Sequence, residues 1–357
     1  MGKIFSSVSC NLDDNILSAC LPLFEGEKIE AIEWSFDTLY SVKNIPAWFI
    51  ELLDAFSKEG RLIGHGVYFS LFSGRWTNEQ EAWLAELKKT CSTFRFDHIS
   101  EHFGFMTGEN FHQGAPIGIP YTESTLALGR DRLKRISHSC LCPVGLENLA
   151  FSYSLDEVKR HGEFLDRLLS PINGFIILDL HNLYCQCHNF TVSFDDLVQL
   201  YPLHRVREIH ISGGSWEDSA ITPAKKVRRD THNDAVPEEV FRFLECIISA
   251  CPQLKFIVLE QLGNGLEKED MRLSFRKDFL QMEAIVREAN NRNLLSATNN
   301  FLPEALEVSP IPIEDNFLYG QQTVLSHILE TAIDYADAKR LLRNSILANT
   351  SWNIEAW

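Results

Sequence analysis

Eight short runs rich in β-branched and aromatic residues alternate with longer amphipathic stretches, and that alternation restricts the chain more than any other feature. The runs are KIFSSVSC (3–10), IEAIEWSF (29–36), LIGHGVYFSL (62–71), FRFDHIS (94–100), PVGLEN (143–148), GFIILDL (174–180), VREIHIS (206–212) and KFIVLE (255–260). Between them NIPAWFIELLDAFSKEG (44–60), TNEQEAWLAELKKT (77–90), TESTLALGRDRLKRISHS (122–139), LDEVKRHGEFLDRLLS (155–170), SFDDLVQL (193–200) and PEEVFRFLECIISA (237–250) repeat apolar residues at spacings of three and four. That is the helix period. Thr77 followed by Gln80, and Pro237 followed by two glutamates, mark helix starts. Parallel strands need crossovers and the helices supply them, so the pattern predicts an α/β chain folded as a (β/α)8 TIM barrel. An open doubly wound sheet is the alternative, but the Gly-rich turn it uses after its first strand is missing. At 357 residues the chain is long for one ordinary domain, and barrels are the recognised exception.

The barrel is expected to occupy residues 1–290. From 291 the chain changes character, with the Asn- and Pro-rich NNRNLLSATNNFLPEALEVSPIPIED followed by one or two helices in TVLSHILETAIDYADAKRLLRNSILAN (323–349). Residues 291–357 are therefore expected to form a C-terminal extension, loop then helices, that packs on the barrel or makes a small partner-facing lobe. Lysines and arginines number 33 against 49 acids, a formal charge of −16, so the average surface repels phosphate and argues against a nucleic-acid partner. Nine cysteines, at 10, 20, 91, 140, 142, 185, 187, 246 and 251, include two C-x-C pairs and no C-x-x-C. They fit neither a zinc ribbon nor a disulfide framework, which points to a reducing compartment. No segment approaches 18 apolar residues in a row and MGKIFSSVSCNLDD has no leader pattern, so a cytoplasmic protein without membrane contact is expected.

In such a barrel the carboxyl ends of the strands face the active site. His65 lies in the third run, His102 just past the fourth, Glu147 at the end of the fifth, Asp179 of the sixth, His210 of the seventh and Glu260 of the eighth. Six strands thus offer a metal-competent side chain at one rim. A lone strand histidine is usually a packing residue, but six acids and imidazoles converging on one rim need neutralising, because unpaired buried charge is costly. Cations do that most simply. Asn182, three residues after Asp179, and the pair Asp230 and His232 in RDTHNDAVP raise the number of candidate ligands to nine. One ion takes about four to six, so two or three ions sharing a carboxylate would use them all. Asp230 and His232, two apart on an extended segment, can reach one ion together. His98 alternates with Ser100 and His102 and is read as supporting the site or facing substrate, with a structural role as the equal alternative. His112, His138, His161, His188, His204 and His327 read as surface or packing residues, and Cys185 and Cys187 as apolar fillers more readily than a soft metal site.

The series DHISEHFGF, GLENLA, ILDLHNLY, VREIHISGG, DTHNDAVPEEV and IVLEQ resembles the multinuclear non-haem iron-dependent oxidases, formerly domain of unknown function 692, within the xylose-isomerase-like superfamily. The resemblance runs from about residue 4 to about residue 285. It implies two or three iron ions, a ribosomally made precursor peptide as substrate, dioxygen as co-substrate, and a peptide-recognising partner protein, giving a heterodimer. Carried onto this chain, one iron would be held by His65, His102 and Glu147. A second would share Glu147 with Asp179, His210 and Glu260, and a third would take Asn182, Asp230 and His232. The six strand residues among these would carry catalysis. The peptide residue oxidised is most often cysteine, and ring formation, carbon excision and thiol migration are outcomes of that chemistry. Loops 103–122 and 212–229 would choose among them. His181 departs from the small or amide residue more usual beside Asn182. The same ligand order is similar to endonuclease IV, a zinc DNA-repair enzyme with histidine at the position of Asn182, and more distantly to sugar isomerases. A metal-dependent hydrolase or isomerase is therefore the alternative, and a barrel retained only for binding is the third reading.

Overall fold

The computed structural model describes residues 2–106, 116–220, 222, 224–292 and 299–356. Eight strands close into a parallel barrel: β1 (Phe5–Ser9), β2 (Ala31–Trp34), β3 (Leu62–Gly66), β4 (Ile99–His102), β5 (Val144–Glu147), β6 (Phe175–Asp179), β7 (Val206–Ile211) and β8 (Phe256–Leu259). β8 pairs with β1 to complete the ring. The (β/α)8 expectation therefore holds. The fourth run is displaced, because the helix before it continues to Thr93 and the strand begins only at Ile99. Phe94 and Phe96 pack against Trp34 outside the barrel instead, at ring separations of 5.7 and 6.2 Å.

The helices between strands are α1 (Asp14–Glu25), α2 (Ala47–Lys58), α3 (Asn78–Thr93), α4 (Glu123–Cys140), α5 (Leu155–Leu169), α6 (Leu180–Phe190), α7 (Phe194–Val198), α8 (Glu238–Ile247) and α9 (Glu269–Asn291). Thr77 and Gln80 form the capping box expected at the start of α3. No helix among the described residues is long and apolar enough to cross a membrane.

Alternation of side chains along each strand sets two layers. Outward residues such as Ile32, Ile257 and Leu259 pack under the helices in the main core. Inward residues fill the barrel: Ala31, Ile63, Phe256 and Val258 form one small apolar cluster, and Phe175 and Ile177 meet Phe301 in another. Barrel interiors of this class are usually apolar throughout. Here Glu33, His65, Ser100, Glu147, Asp179, Glu208 and His210 are also buried at inward positions.

After α9 the chain returns along the whole barrel. Phe301 is fully buried at the amino-terminal end, its ring 5.9 Å from that of Phe175. The segment then passes along α4, where Arg135 donates to Ser309 O at 2.8 Å and Arg132 to Ile313 O at 2.9 Å. At the carboxyl end of the barrel, Gln322 in α10 (Asn316–Thr331) accepts from Gly74 N at 2.9 Å and donates to Phe72 O at 2.7 Å. Helix α11 (Tyr335–Arg343) follows, and beyond it Trp352 is fully buried, its ring 5.7 Å from Phe105 and 6.0 Å from Tyr153. The tail so touches the loops that follow β3, β4 and β5.

Candidate metal centre

Strand register gathers the rim residues. His102 of β4 lies opposite Glu147 of β5, and Asp179 of β6 opposite His210 of β7. Glu147 sits between two groups. His65 Nε2 and His102 Nε2 face its Oε2 at 3.3 and 3.5 Å, while His210 Nδ1 faces its Oε1 at 3.4 Å. Donor atoms of His65, His102 and Glu147 all lie within 4.8 Å of one another, and so do those of Glu147, Asp179, His210 and Glu260. Those are the first two ligand sets expected from the sequence.

The third set is placed more loosely. His232 Nε2 meets Asp230 Oδ1 at 2.8 Å and its Nδ1 faces Glu260 Oε2 at 3.3 Å. His232 holds a left-handed backbone, φ 49°, a conformation uncommon outside glycine. Asn182, three residues after Asp179, lies in the first turn of α6. Asp179 caps that helix, accepting from Asn182 N at 2.5 Å. Asn148 braces both: its amide exchanges hydrogen bonds of 2.7 and 3.1 Å with the backbone of Asp179, and its carbonyl accepts from Asn182 Nδ2 at 2.8 Å.

Five polar atoms on these ligands are buried without a hydrogen-bond partner: His102 Nδ1, Asp179 Oδ2, Asn182 Oδ1, His210 Nδ1 and Glu260 Oε2. Each is a lone-pair donor or an imidazole nitrogen. Buried groups of this kind are rarely left unpaired, and one such atom costs about 1–3 kcal/mol. Cations would satisfy the three oxygens and His210 Nδ1 together, and His102 offers its Nε2 to the same centre, so the donor set fits metal.

The electrostatics agree. Burial, then Asp230 and Glu147, push the Asp179 carboxyl well above its ordinary range. Burial and neighbouring His65 push His102 down to about 4. For His65 burial works the other way from its contacts, yet Glu147 and Glu33 prevail and carry it up to about 9. Burial opposes charge on Asp230 too, but His232 and His181 bring it to about 2. Protons on His65, His210 and His232, which neighbouring carboxylates favour, take the place that cations would take, so metal binding is expected to release them.

Ring tautomers are set from behind. Ser100 Oγ donates to Gly64 O at 3.3 Å and so accepts from His65 Nδ1 at 2.8 Å, leaving His65 Nε2 free toward Glu147. His210 Nε2 lies 3.0 Å from both Glu33 Oε2 and Glu208 Oε1, so its proton sits there and Nδ1 faces the ligands. Glu208 in turn meets His98 Nε2, and His98 Nδ1 lies 3.0 Å from Asp97 Oδ1. His98 is therefore at the barrel floor between Phe175 and Phe256, not at the mouth, and does not face substrate. Glu33, Glu208, Ser100 and Asn148 escaped the sequence reading. Period-two spacing was the available signal: Glu208 precedes His210 by two on the same face of one strand.

Among the other histidines, His161 is buried and His188 meets Trp216 edge to face at 4.4 Å, while His112 lies outside the described residues, as do 107–115 of the 103–122 loop and 221 and 223 of the 212–229 loop. Cys185 is buried in α6 with Sγ 3.9 Å from His181 Nδ1.

The sequence profile described as RiPP precursor modification enzyme MbnB/TglH/ChrH matches residues 42–265. A UPF0276 protein of Acaryochloris marina is 29% identical over 157 residues, 43% of this chain and 55% of that protein. Another from Chromobacterium violaceum is 27% identical over 185 residues, 52% of this chain and 64% of that protein. The chain thus spans about half to two thirds of the curated relatives it matches. Among solved structures, an L-ribulose 3-epimerase superposes with a TM-score of 0.51 at 11% identity, covering 82% of this chain and 97% of that one. A xylose isomerase domain protein from Planctomyces limnophilus gives 0.50 at 12%, covering 81% and 99%. These two likenesses bear on the fold alone.

Proposed function

Because the chain belongs to the family of RiPP precursor modification enzymes represented by MbnB, TglH and ChrH, we propose that it is a dioxygen-dependent multinuclear non-haem iron oxidase that modifies a cysteine of a ribosomally synthesised precursor peptide, working with a peptide-recognising partner protein. The observation that carries this reading is the pair of donor clusters joined through Glu147, with five buried ligand atoms otherwise unpaired. Carboxylate oxygens and imidazoles, with no thiolate among them, suit iron better than a closed structural zinc site.

In this reading His65, His102 and Glu147 hold one ion, Glu147, Asp179, His210 and Glu260 a second, and Asn182, Asp230 and His232 a third. Bound iron would supply a Lewis acid for the peptide thiolate and a redox partner for dioxygen. The chain's own residues do the rest. Ser100 keeps the proton of His65 on Nδ1, and Glu33 with Glu208 keeps that of His210 on Nε2, so each ring presents a lone pair to the centre. Asn148 fixes Asp179 and Asn182 relative to one another. The apolar floor of Phe175, Phe256 and Phe301 closes the lower end to water.

Metal analysis of protein purified without oxygen tests the cofactor: two or more iron equivalents per chain are expected, and stoichiometric zinc with less than one iron would move the assignment to a hydrolase or isomerase. Asp230→Ala and His232→Ala should each remove about one equivalent and leave the barrel folded. Co-expression with a short open reading frame and a partner gene beside its own, followed by mass measurement of the peptide, tests the reaction. An oxygen-dependent mass change is expected, and a peptide of unchanged mass in repeated trials with bound iron would overturn the oxidase reading.

A further inference from the structure

His181 offers an imidazole to the same carboxylate that is proposed to hold the third ion. It is fully buried in the first turn of α6, and its Nδ1 lies 2.9 Å from Asp230 Oδ1. Its other nitrogen, Nε2, is 3.1 Å from Arg228 Nε. A guanidinium has donors and no acceptor, so Nε2 must accept. The one proton of the neutral ring is then on Nδ1, pointing at Asp230. With both nitrogens committed, His181 has no lone pair left for a metal.

Arg228 is held as firmly. Only 4% of it is exposed. Asn189, at the far end of α6, accepts from its backbone N–H at 2.9 Å and donates to its carbonyl at 2.9 Å. Its guanidinium carbon sits 5.5 Å from the ring centre of Tyr184 and 5.2 Å from that of Trp216, within cation–π range. A short antiparallel ribbon, Trp216–Asp218 with Lys226–Arg228, is thereby fastened to α6 two residues before Asp230. Gly214 makes room: a Cβ there would stand 2.9 Å from His181 Cε1 and 2.2 Å from Arg229 O.

We infer that Arg228 and His181 form a positioning relay for the third metal site: Arg228 fixes the tautomer of His181, and the His181 Nδ1–H holds Asp230 Oδ1, the oxygen that His232 Nε2 also faces, so that the carboxylate keeps its orientation toward His232. The inference rests on Asp230 being a metal ligand. Hydrogen bonds to a ligating group of this kind are worth about 10–100-fold in metal affinity. Exchanging the relay should therefore loosen one ion of the set and spare the others.

Cobalt(II) serves as the probe, loaded into the metal-depleted full-length chain, with its release to a chelator followed in time and its stoichiometry counted after dialysis. His181→Ala and Arg228→Gln should speed the fastest-released equivalent about 10–100-fold and leave the slower phases within about twofold. His181→Asn places an amide donor where Nδ1–H stood and should restore slow release, whereas His181→Gln, whose amide reaches only the Nε2 position, should not. That contrast would not arise from packing alone. Equal release from the wild type and both the His181→Ala and Arg228→Gln variants, or equal rescue by Asn and Gln, overturns the relay. If Asp230→Ala loses an equivalent while the relay variants do not, the relay falls and the ligand reading stands. If Asp230→Ala keeps every equivalent, both fall.

Discussion

Acid should weaken this fold through His161. It is buried, and burial alone pushes it down to about 4 from an ordinary value near 6.5. Its Nδ1 accepts from Gln186 Nε2 at 3.2 Å, and the same amide donates to Leu149 O at 2.7 Å. Its Nε2 lies 3.3 Å from Ser152 Oγ. His161 thus clasps the loop after Glu147 to the helix that carries Asn182. The unfolded chain binds a proton at this residue below about pH 6.5, whereas the folded chain resists until about pH 4. The stability it contributes is intact above pH 6.5, falls as the pH drops through that window, and is gone below about 4. A displacement of about 2.5 pH units corresponds to about 3 kcal/mol. For 357 residues the melting entropy is about 0.75 kcal/mol/K, so the loss amounts to about 4 °C in Tm. His161→Gln keeps a polar partner for Gln186 and does not titrate. Melting both proteins between pH 7.5 and 4 cancels the other ionisable groups in the difference. The wild type should lose about 4 °C relative to the variant across that range, and a difference curve flat to within about 1 °C would show that burial does not hold the ring neutral.

Ser100→Ala removes the acceptor that keeps the His65 proton on Nδ1, and should weaken metal at the His65–His102–Glu147 set about 10–100-fold in a cobalt titration while leaving the other sets alone. Glu208→Ala strips the anion from between His98 and His210 in a fully buried place and should cost about 3–5 kcal/mol by urea unfolding, with Glu208→Gln costing less. Trp352→Ala empties a buried aromatic site against Phe105 and Tyr153 and should also cost about 3–5 kcal/mol; a loss below about 1 kcal/mol would mean the tail is not fastened there.

The barrel and its rim were legible because both follow from short-range rules. Period-two alternation and parallel register decide which residues meet at the carboxyl end, and the eight runs announce themselves by composition. His102 and Glu147 are legible partners for that reason, being register neighbours on adjacent strands. What the sequence concealed has other physical origins. Glu33 and Glu208 sit one pleat deeper than the strand ends, where an acid in a strand pattern reads as a solvated face until the floor around it is seen to be closed. Of the readings open for His98, the structure gives it a supporting place behind the site: it shares a face with His102 but lies just before the strand, at its other end, and meets Glu208. The helix that carries Asn182 was not among the expected ones, since it starts immediately after Asp179, whose side chain supplies the cap. The path of the tail was beyond local reasoning, since its fastening points join residues as far apart as Gly74 and Gln322.

The tail from Asn299 onward is anchored by Phe301 at one end of the barrel and by Trp352 at the other, yet contributes none of the nine candidate ligands, and the family profile ends at residue 265. The candidate ligands and the residues that brace the loops after β3, β4 and β5 thus occupy separate stretches of sequence. If the proposed function holds, the tail can be exchanged while the candidate ligands stay in place, and peptide preference can then change through residues outside the ligand set.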